Sequence, residues 1–122
     1  MTKVLVVEDE RTVAWALQRL LEGTGYSVVG YSDTGEDALR MAQEQQPDVI
    51  LMDVQLRGRM DGIAAAEAIQ ALHDTPVVYV TSLADPGTLH RMERTQPCGR
   101  VGKPFCHREL ITAIETVLAQ RR

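Results

Sequence analysis

Three runs of this 122-residue chain are almost unbroken apolar: Val4-Leu5-Val6-Val7, Val49-Ile50-Leu51-Met52 and Val77-Val78-Tyr79-Val80. Continuous β-branched runs of this length suit strands buried on both faces, as in a parallel sheet covered by helices. Two weaker runs accompany them. Tyr26 to Tyr31 is interrupted by Ser27 and Gly30, and Gly99 to Gly102 holds a single aliphatic residue, Val101. Between the runs the apolar period lengthens to that of a helix. Val13, Leu17, Leu20 and Leu21 share one face, with Gly23 and Gly25 as the stop. Asp33 followed by Glu36 reads as a capping box for a second helix through Ala38, Leu39 and Ala42. Asp61-Gly62 opens a third, carrying Ile63, Ala66, Ile69 and Leu72, and Asp85-Pro86 opens a fourth with proline at the first helical position. Leu110, Ile111, Ile114, Val117 and Leu118 form the stripe of a fifth.

Five strand–helix units follow one another without linker, repeat or low-complexity segment, so residues 1–122 read as one domain. Weak strands belong at sheet edges, where one side meets solvent. Placing the second and fifth outside gives the parallel order 2-1-3-4-5, a flavodoxin-like, doubly wound (βα)5 three-layer sandwich of the α/β class.

Composition adds mainly exclusions. A net charge of −4, without clustered Lys or Arg, gives no footprint for nucleic acid, and the Arg121-Arg122 pair is too short for a basic tail. No apolar stretch approaches the ~20 residues of a membrane span, and no signal-peptide leader is expected ahead of the first strand. Cys98 and Cys106 lie outside any CxxC pattern. A cytoplasmic setting and no membrane partner are expected.

In such a sheet, parallel strands all finish at one edge, where ligands bind. The acid pair Glu8-Asp9 follows the first strand, Asp53 the third, Thr81 the fourth and Lys103 the fifth. Carboxylates about 4 Å apart repel by ~4 kcal/mol at an effective dielectric near 20, and a hard divalent cation removes that repulsion. Mg²⁺ fits, because it uses one or two carboxylates and shares phosphate oxygens with a substrate; Mn²⁺ can stand in for it. Glu10 serves equally well as a simple helix-start acid. A carboxylate is a competent phosphoryl acceptor, and the transfer needs little beyond positioning and neutralisation of the equatorial oxygens. Asp53 is the candidate acceptor, with the cation, the Thr81 hydroxyl and the Lys103 ammonium each on one oxygen. Pro104 restricts the Lys103 backbone and helps aim its ammonium.

With these residues in view, the chain resembles the receiver domains of two-component response regulators from Lys3 to about Ala119. The likeness rests on VLVVEDE at the start, DVILMDVQL around Asp53, MDGI at Met60 to Ile63, PVVYVTS around Thr81, and GKPF at Gly102 to Phe105. It implies that Asp53 is phosphorylated from a phosphohistidine on a sensor histidine kinase or histidine phosphotransfer protein, then slowly hydrolysed. It also implies that Asp9, Asp53 and the backbone carbonyl of Gln55 hold Mg²⁺, with Glu8 acting through water, and that the Lys103-Pro104 bond is cis. The chain would be a signalling switch rather than an enzyme. The first helix and the loop after the fifth strand would dock the kinase, with Val13, Ala16, Pro104 and Phe105 as contacts and Trp15 at the rim; Trp15 equally suits a cap on the sheet edge. The output face would be the fourth helix, fifth strand and fifth helix. It carries His90, Arg91, Arg94, Arg100 and Arg108, which suits an acidic partner or a homodimer.

Three departures from the common receiver pattern stand out. Arg100 occupies the switch position where an aromatic residue usually moves with the threonine, and it is expected to stay outward. The stretch from Asp53 to Asp61-Gly62 is one residue longer than usual and carries Arg57-Gly58-Arg59, either solvated or acting on donor docking. Ser82 follows Thr81 where a smaller residue is common, narrowing access. His73, His90 and His107 read as surface residues without ligand spacing, and Met41, Met52, Met60 and Met92 as core or fringe packing.

Competing readings are an FMN-binding flavodoxin and a Mg²⁺-dependent phosphatase. The acids Glu8-Asp9-Glu10 would repel an FMN phosphate. The second Asp that such phosphatases place two residues after the nucleophile is here Gln55. A receiver cut from a larger regulator or hybrid kinase would read the same.

Overall fold

A computed structural model describes residues 1–121; Arg122, of the terminal arginine pair, lies outside the described residues. Strands β1 (Lys3–Val7), β2 (Ser27–Ser32), β3 (Val49–Met52), β4 (Val77–Thr81) and β5 (Cys98–Gly102) alternate with α1 (Arg11–Gly23), α2 (Gly35–Gln45), α3 (Gly62–Leu72), α4 (Pro86–Glu93) and α5 (His107–Gln120). All strand pairs are parallel and the sheet order is β2-β1-β3-β4-β5. The strong runs are central and the weak ones form the rims, because only the central strands are buried on both faces.

The period of two along each strand divides the core between the sheet's faces. Leu5, Val7, Ile50, Met52, Val77 and Tyr79 pack with Ala38, Ala42, Ile63, Ala66, Ile69 and Met92 of α2, α3 and α4. Val4, Val6, Val49, Leu51, Val78, Val80 and Val101 pack with Leu17, Leu21, Leu110, Ile114 and Val117 of α1 and α5. Met52 and Met92 are core, Met41 and Met60 its fringe. Leu72, the final residue of α3, is instead exposed.

Local signals set the helix starts, with one correction. Asp61 and Asp85 accept N–H bonds from Ala64 (2.8 Å) and Thr88 (3.0 Å), as their positions predict. The cap of α2 is Thr34, not Asp33: its hydroxyl accepts the Asp37 N–H at 3.0 Å, and Glu36 turns elsewhere. Two hydroxyls decide this, since Ser32 Oγ donates to the Thr34 carbonyl at 2.9 Å and so fixes Thr34 at the cap. His73 is half-buried rather than a free surface residue, its Nε2 enclosed. His90 and His107 are exposed.

From the middle of β4, Tyr79 forms a buried hydroxyl pair with Thr95 at 2.6 Å, and Thr95 Oγ1 donates onward to the Met92 carbonyl at 2.6 Å. This ties the C-terminal end of α4 to the sheet.

Candidate functional site

Between β1 and β3 the chain changes direction: from β1 it winds outward to β2, from β3 the opposite way to β4 and β5. The crevice at the carboxyl ends of these strands collects the strand-end side chains. The Asp53 N–H donates to the Val7 carbonyl (2.9 Å), setting the ends of β1 and β3 level, and the Lys103 N–H donates to the Thr81 carbonyl (3.2 Å), doing so for β4 and β5.

Lys103 reaches across the crevice. Its Nζ lies 3.1 Å from Asp53 Oδ2 and 2.8 Å from Glu8 Oε1, with Glu10 Oε1 at 3.7 Å. Burial alone would lower the Lys103 ammonium, but its bonds to Glu8 and Asp53 outweigh that and the net shift is upward. Glu8 is 1% exposed and Asp53 4%. Burial pushes the Glu8 carboxyl from its ordinary 4.5 up to about 7; Lys103 opposes the shift and Asp53 adds to it. The Lys103–Glu8 contact is close but poorly directed, so Glu8 Oε1 has no aligned donor, while Glu8 Oε2 accepts the Glu10 N–H at 3.2 Å.

Glu8, Glu10 and Asp53 each offer a carboxylate oxygen within 4.8 Å of the others. The all-oxygen donor set and the misaligned, buried Glu8 Oε1 fit a hard divalent cation. Asp9, the acid named from the sequence as a direct ligand, is half-buried and stands outside this cluster; Glu10 takes part in it. Strand alternation does not separate Glu8 and Glu10 from Asp9, because β1 ends at Val7 and the turn before α1 sets these side chains.

Thr81 is buried at the end of β4, and its Oγ1 accepts the Leu83 N–H at 3.2 Å. Ser82 and Arg100 are exposed, Arg100 on the outer strand β5. The Lys103-Pro104 bond is cis, as is Gln96-Pro97. Gln55 is exposed, with its N–H 3.4 Å from Asp53 Oδ1.

Asp53 is followed by a loop running to Gly62 at the start of α3. The Gly62 N–H donates to the Val54 carbonyl at 2.8 Å, and a Cβ on Gly62 would lie 1.9 Å from the Asp53 carbonyl oxygen. Only glycine fits that approach. Asp61, beyond capping α3, accepts both Arg91 nitrogens at 2.8 and 3.0 Å, tying the loop's end to α4.

Of the proposed docking residues, Val13, Ala16, Pro104 and Phe105 line one shallow groove of about 270 Å³ beside Lys103. Trp15 is not in it: 61% exposed, it sits under the Arg19 guanidinium at 5.0 Å and borders a separate hollow with Arg11 and Tyr31.

A sheet of this order, with an acidic crevice crossed by one lysine, defines a class, and comparison with known proteins agrees. Residues 4–115 match the response regulator receiver domain family. The chain belongs to that family, the receiver domains of two-component signalling. It is 32% identical over 120 residues to the transcriptional regulatory protein PdtaR of Mycobacterium tuberculosis, and 38% over 127 residues to the response regulator GacA of Pseudomonas aeruginosa. These alignments cover 98% and 100% of the chain but 58% of each relative, so the chain spans little more than half their length. Among solved structures, the signal receiver domain of a modulated diguanylate cyclase from Desulfovibrio desulfuricans superposes with a TM-score of 0.92 at 37% identity, covering 98% of this chain and 95% of that one. The chemotaxis protein CheY4 of Vibrio cholerae does so at 0.85 and 29%, covering 96% and 98%.

Proposed function

We propose that this receiver domain is a phosphoacceptor switch in which Asp53 takes a phosphoryl group from a phosphohistidine. The observation that carries the reading is the Asp53 carboxylate, almost wholly buried at a strand end, with the Lys103 ammonium 3.1 Å from Oδ2. An Asp53 carboxylate oxygen attacks phosphorus, the P–N bond to the donor imidazole breaks, and the imidazole leaves with the electron pair of that bond. Lys103 and the Thr81 hydroxyl accept the charge of the transferred group, from β5 and β4. Bound Mg²⁺ supplies charge neutralisation of donor and acceptor oxygens; Asp9, Asp53 and the Gln55 carbonyl would hold it, with Glu8 acting through water and the Glu10 carboxylate beside Glu8 and Asp53. Mn²⁺ suits the same oxygens. Hydrolysis later returns Asp53 to its free carboxylate and releases inorganic phosphate.

The donor would be a sensor histidine kinase or histidine phosphotransfer protein seated over the Val13–Ala16–Pro104–Phe105 groove, with Trp15 at the margin. Such a partner places the chain in the cytoplasm. Output would pass through Thr81 to α4 and the arginine-bearing face of α4, β5 and α5, to a partner or a second copy, with Arg100 remaining outward. Because the phosphatase alternative lacks an acid at Gln55, labelling rather than turnover is expected.

Acetyl phosphate with Mg²⁺ tests this reading. One phosphoryl per chain, lost in Asp53→Asn and on removal of Mg²⁺ by chelation, supports it. Undiminished labelling of Asp53→Asn, or multiple turnover of a generic phosphomonoester, overturns it.

A further inference from the structure

The loop between Asp53 and α3 is anchored at its start by Val54, buried in the core, and by the half-buried Leu56, but its tip has little burial to hold it: Gln55, Arg57, Gly58 and Arg59 are exposed. Its shape must come from hydrogen bonds, and those converge on a residue 23 and 24 positions away. The Glu36 carboxylate, in the first turn of α2, accepts the N–H of Arg59 at 3.2 Å and of Met60 at 3.4 Å. Beside it, Thr34 and Arg57 form an isolated parallel bridge. Gly58 sits at φ +91°, and a Cβ there would lie 2.8 and 3.0 Å from the two Glu36 carboxylate oxygens. The turn therefore closes around the carboxylate, which a side chain at this position would push aside. The backbone N–H of Arg59 and the loop's other donors hold the Glu36 carboxyl below its ordinary range.

We propose that Glu36 is a positioning residue for the phosphoacceptor loop, fixing segment 57–60 and through it the Gln55 carbonyl that would help hold the cation. The inference rests on the cation-dependent reading of Asp53. Among the described residues Gln55 is tied on its other side only by the long contact of its N–H with Asp53 Oδ1, so a free tip would let its carbonyl wander. Apparent affinity falls in proportion to the fraction of chains whose loop is in the binding shape.

Mn²⁺ alone, titrated against the unphosphorylated chain and read by electron paramagnetic resonance, measures this without any turnover. Glu36→Ala is expected to weaken Mn²⁺ binding about three- to tenfold, the weight of one or two exposed hydrogen bonds, and to speed amide exchange at Arg59 and Met60. Glu36→Gln keeps one acceptor oxygen and turns an NH2 toward the other loop N–H, so it should fall between the parent and Glu36→Ala. Gly58→Ala should weaken binding like Glu36→Ala, because its methyl group displaces the carboxylate. Parental Mn²⁺ affinity in Glu36→Ala, or equal weakening in Glu36→Gln and Glu36→Ala, overturns the inference while leaving the site intact. A parent chain that binds no Mn²⁺, or Asp53→Asn that binds it as tightly, overturns the underlying reading and the inference with it.

Discussion

Replacing Thr95 by valine should destabilise this domain more than replacing Tyr79 by phenylalanine, although both remove the same 2.6 Å hydroxyl contact. The asymmetry follows from where the protons sit. Thr95 has one O–H, directed at the Met92 carbonyl 2.6 Å away, so the Tyr79 O–H must be the donor in the pair. Burial pushes the Tyr79 phenol up, so it keeps that proton throughout the working range. In Tyr79→Phe the Thr95 hydroxyl retains its bond to Met92, and the loss is one net hydrogen bond, about 1 kcal/mol. In Thr95→Val the Tyr79 O–H, on a residue with no exposed surface, is stranded. The desolvation of an unpaired buried donor costs about 2 kcal/mol, in a range of roughly 1–3. The Met92 carbonyl adds little, since it still accepts the Thr95 N–H at 2.9 Å. For 122 residues, an unfolding entropy of about 0.25 kcal/mol per kelvin converts these costs to Tm losses of about 4 °C and 8 °C. The double variant has no stranded O–H and should lie near Tyr79→Phe, giving a coupling of about 2 kcal/mol. Thermal and urea unfolding of the four proteins checks this. Strictly additive losses, or a Thr95→Val no worse than Tyr79→Phe, would show that the proton order has been read backwards.

Other consequences can be checked with the same methods. Gly62→Ala should be the most disruptive small substitution in the chain, because its Cβ would fall 1.9 Å from the Asp53 carbonyl oxygen; circular dichroism should show a lowered Tm or loss of the fold, and a parental Tm would contradict the close approach. Lys103→Met leaves Glu8 and Asp53 buried without their cation, so Mg²⁺ should raise its Tm by more degrees than it raises the parent's. Burial opposes ionisation of Asp61, yet Arg91 and the Ala64 N–H pull its carboxyl below the usual range. The stability it contributes is complete above the unfolded carboxyl pKa, about 3.9, and is lost as pH falls through the lower folded value. The gap in stability between the parent and Asp61→Ala should therefore persist near pH 7 and close in strong acid; a gap that widens below pH 4 has the wrong sign.

The fold was legible because its signals are short-range. Unbroken apolar runs identified β1, β3 and β4 as central, and the interruptions by Ser27, Gly30 and Gly99 sent β2 and β5 to the rims. Asp61 and Asp85 announce helix starts because an N-cap bonds within its own turn. The cap of α2 was not legible for the converse reason. Asp33 and Thr34 are both good capping residues, and the choice between them depends on Ser32, while Glu36 leaves its own helix for a loop far along the chain. Strand ends were enough to bring Asp53, Thr81 and Lys103 to one edge. They did not say which neighbouring acids face inward, because the chain beyond Val7 has left the strand and its turn decides whether Glu8, Asp9 or Glu10 points at Lys103. The near-complete burial of Glu8 was equally invisible, since an acid is ordinarily buried only with a partner, and its partner lies at the other end of the chain.

Arg100 has one more effect, on the molecule's behaviour in a crowd. It stands exposed on β5, whose outer edge pairs with no other strand among the described residues. Two such edges meeting would press guanidinium against guanidinium, and repulsion of this kind discourages sheets from fusing side to side. At the opposite rim, the register of β2 slips against β1 between Val4 and Leu5, which bends that border away from a flat template. Both borders thereby discourage edge-to-edge joining of sheets.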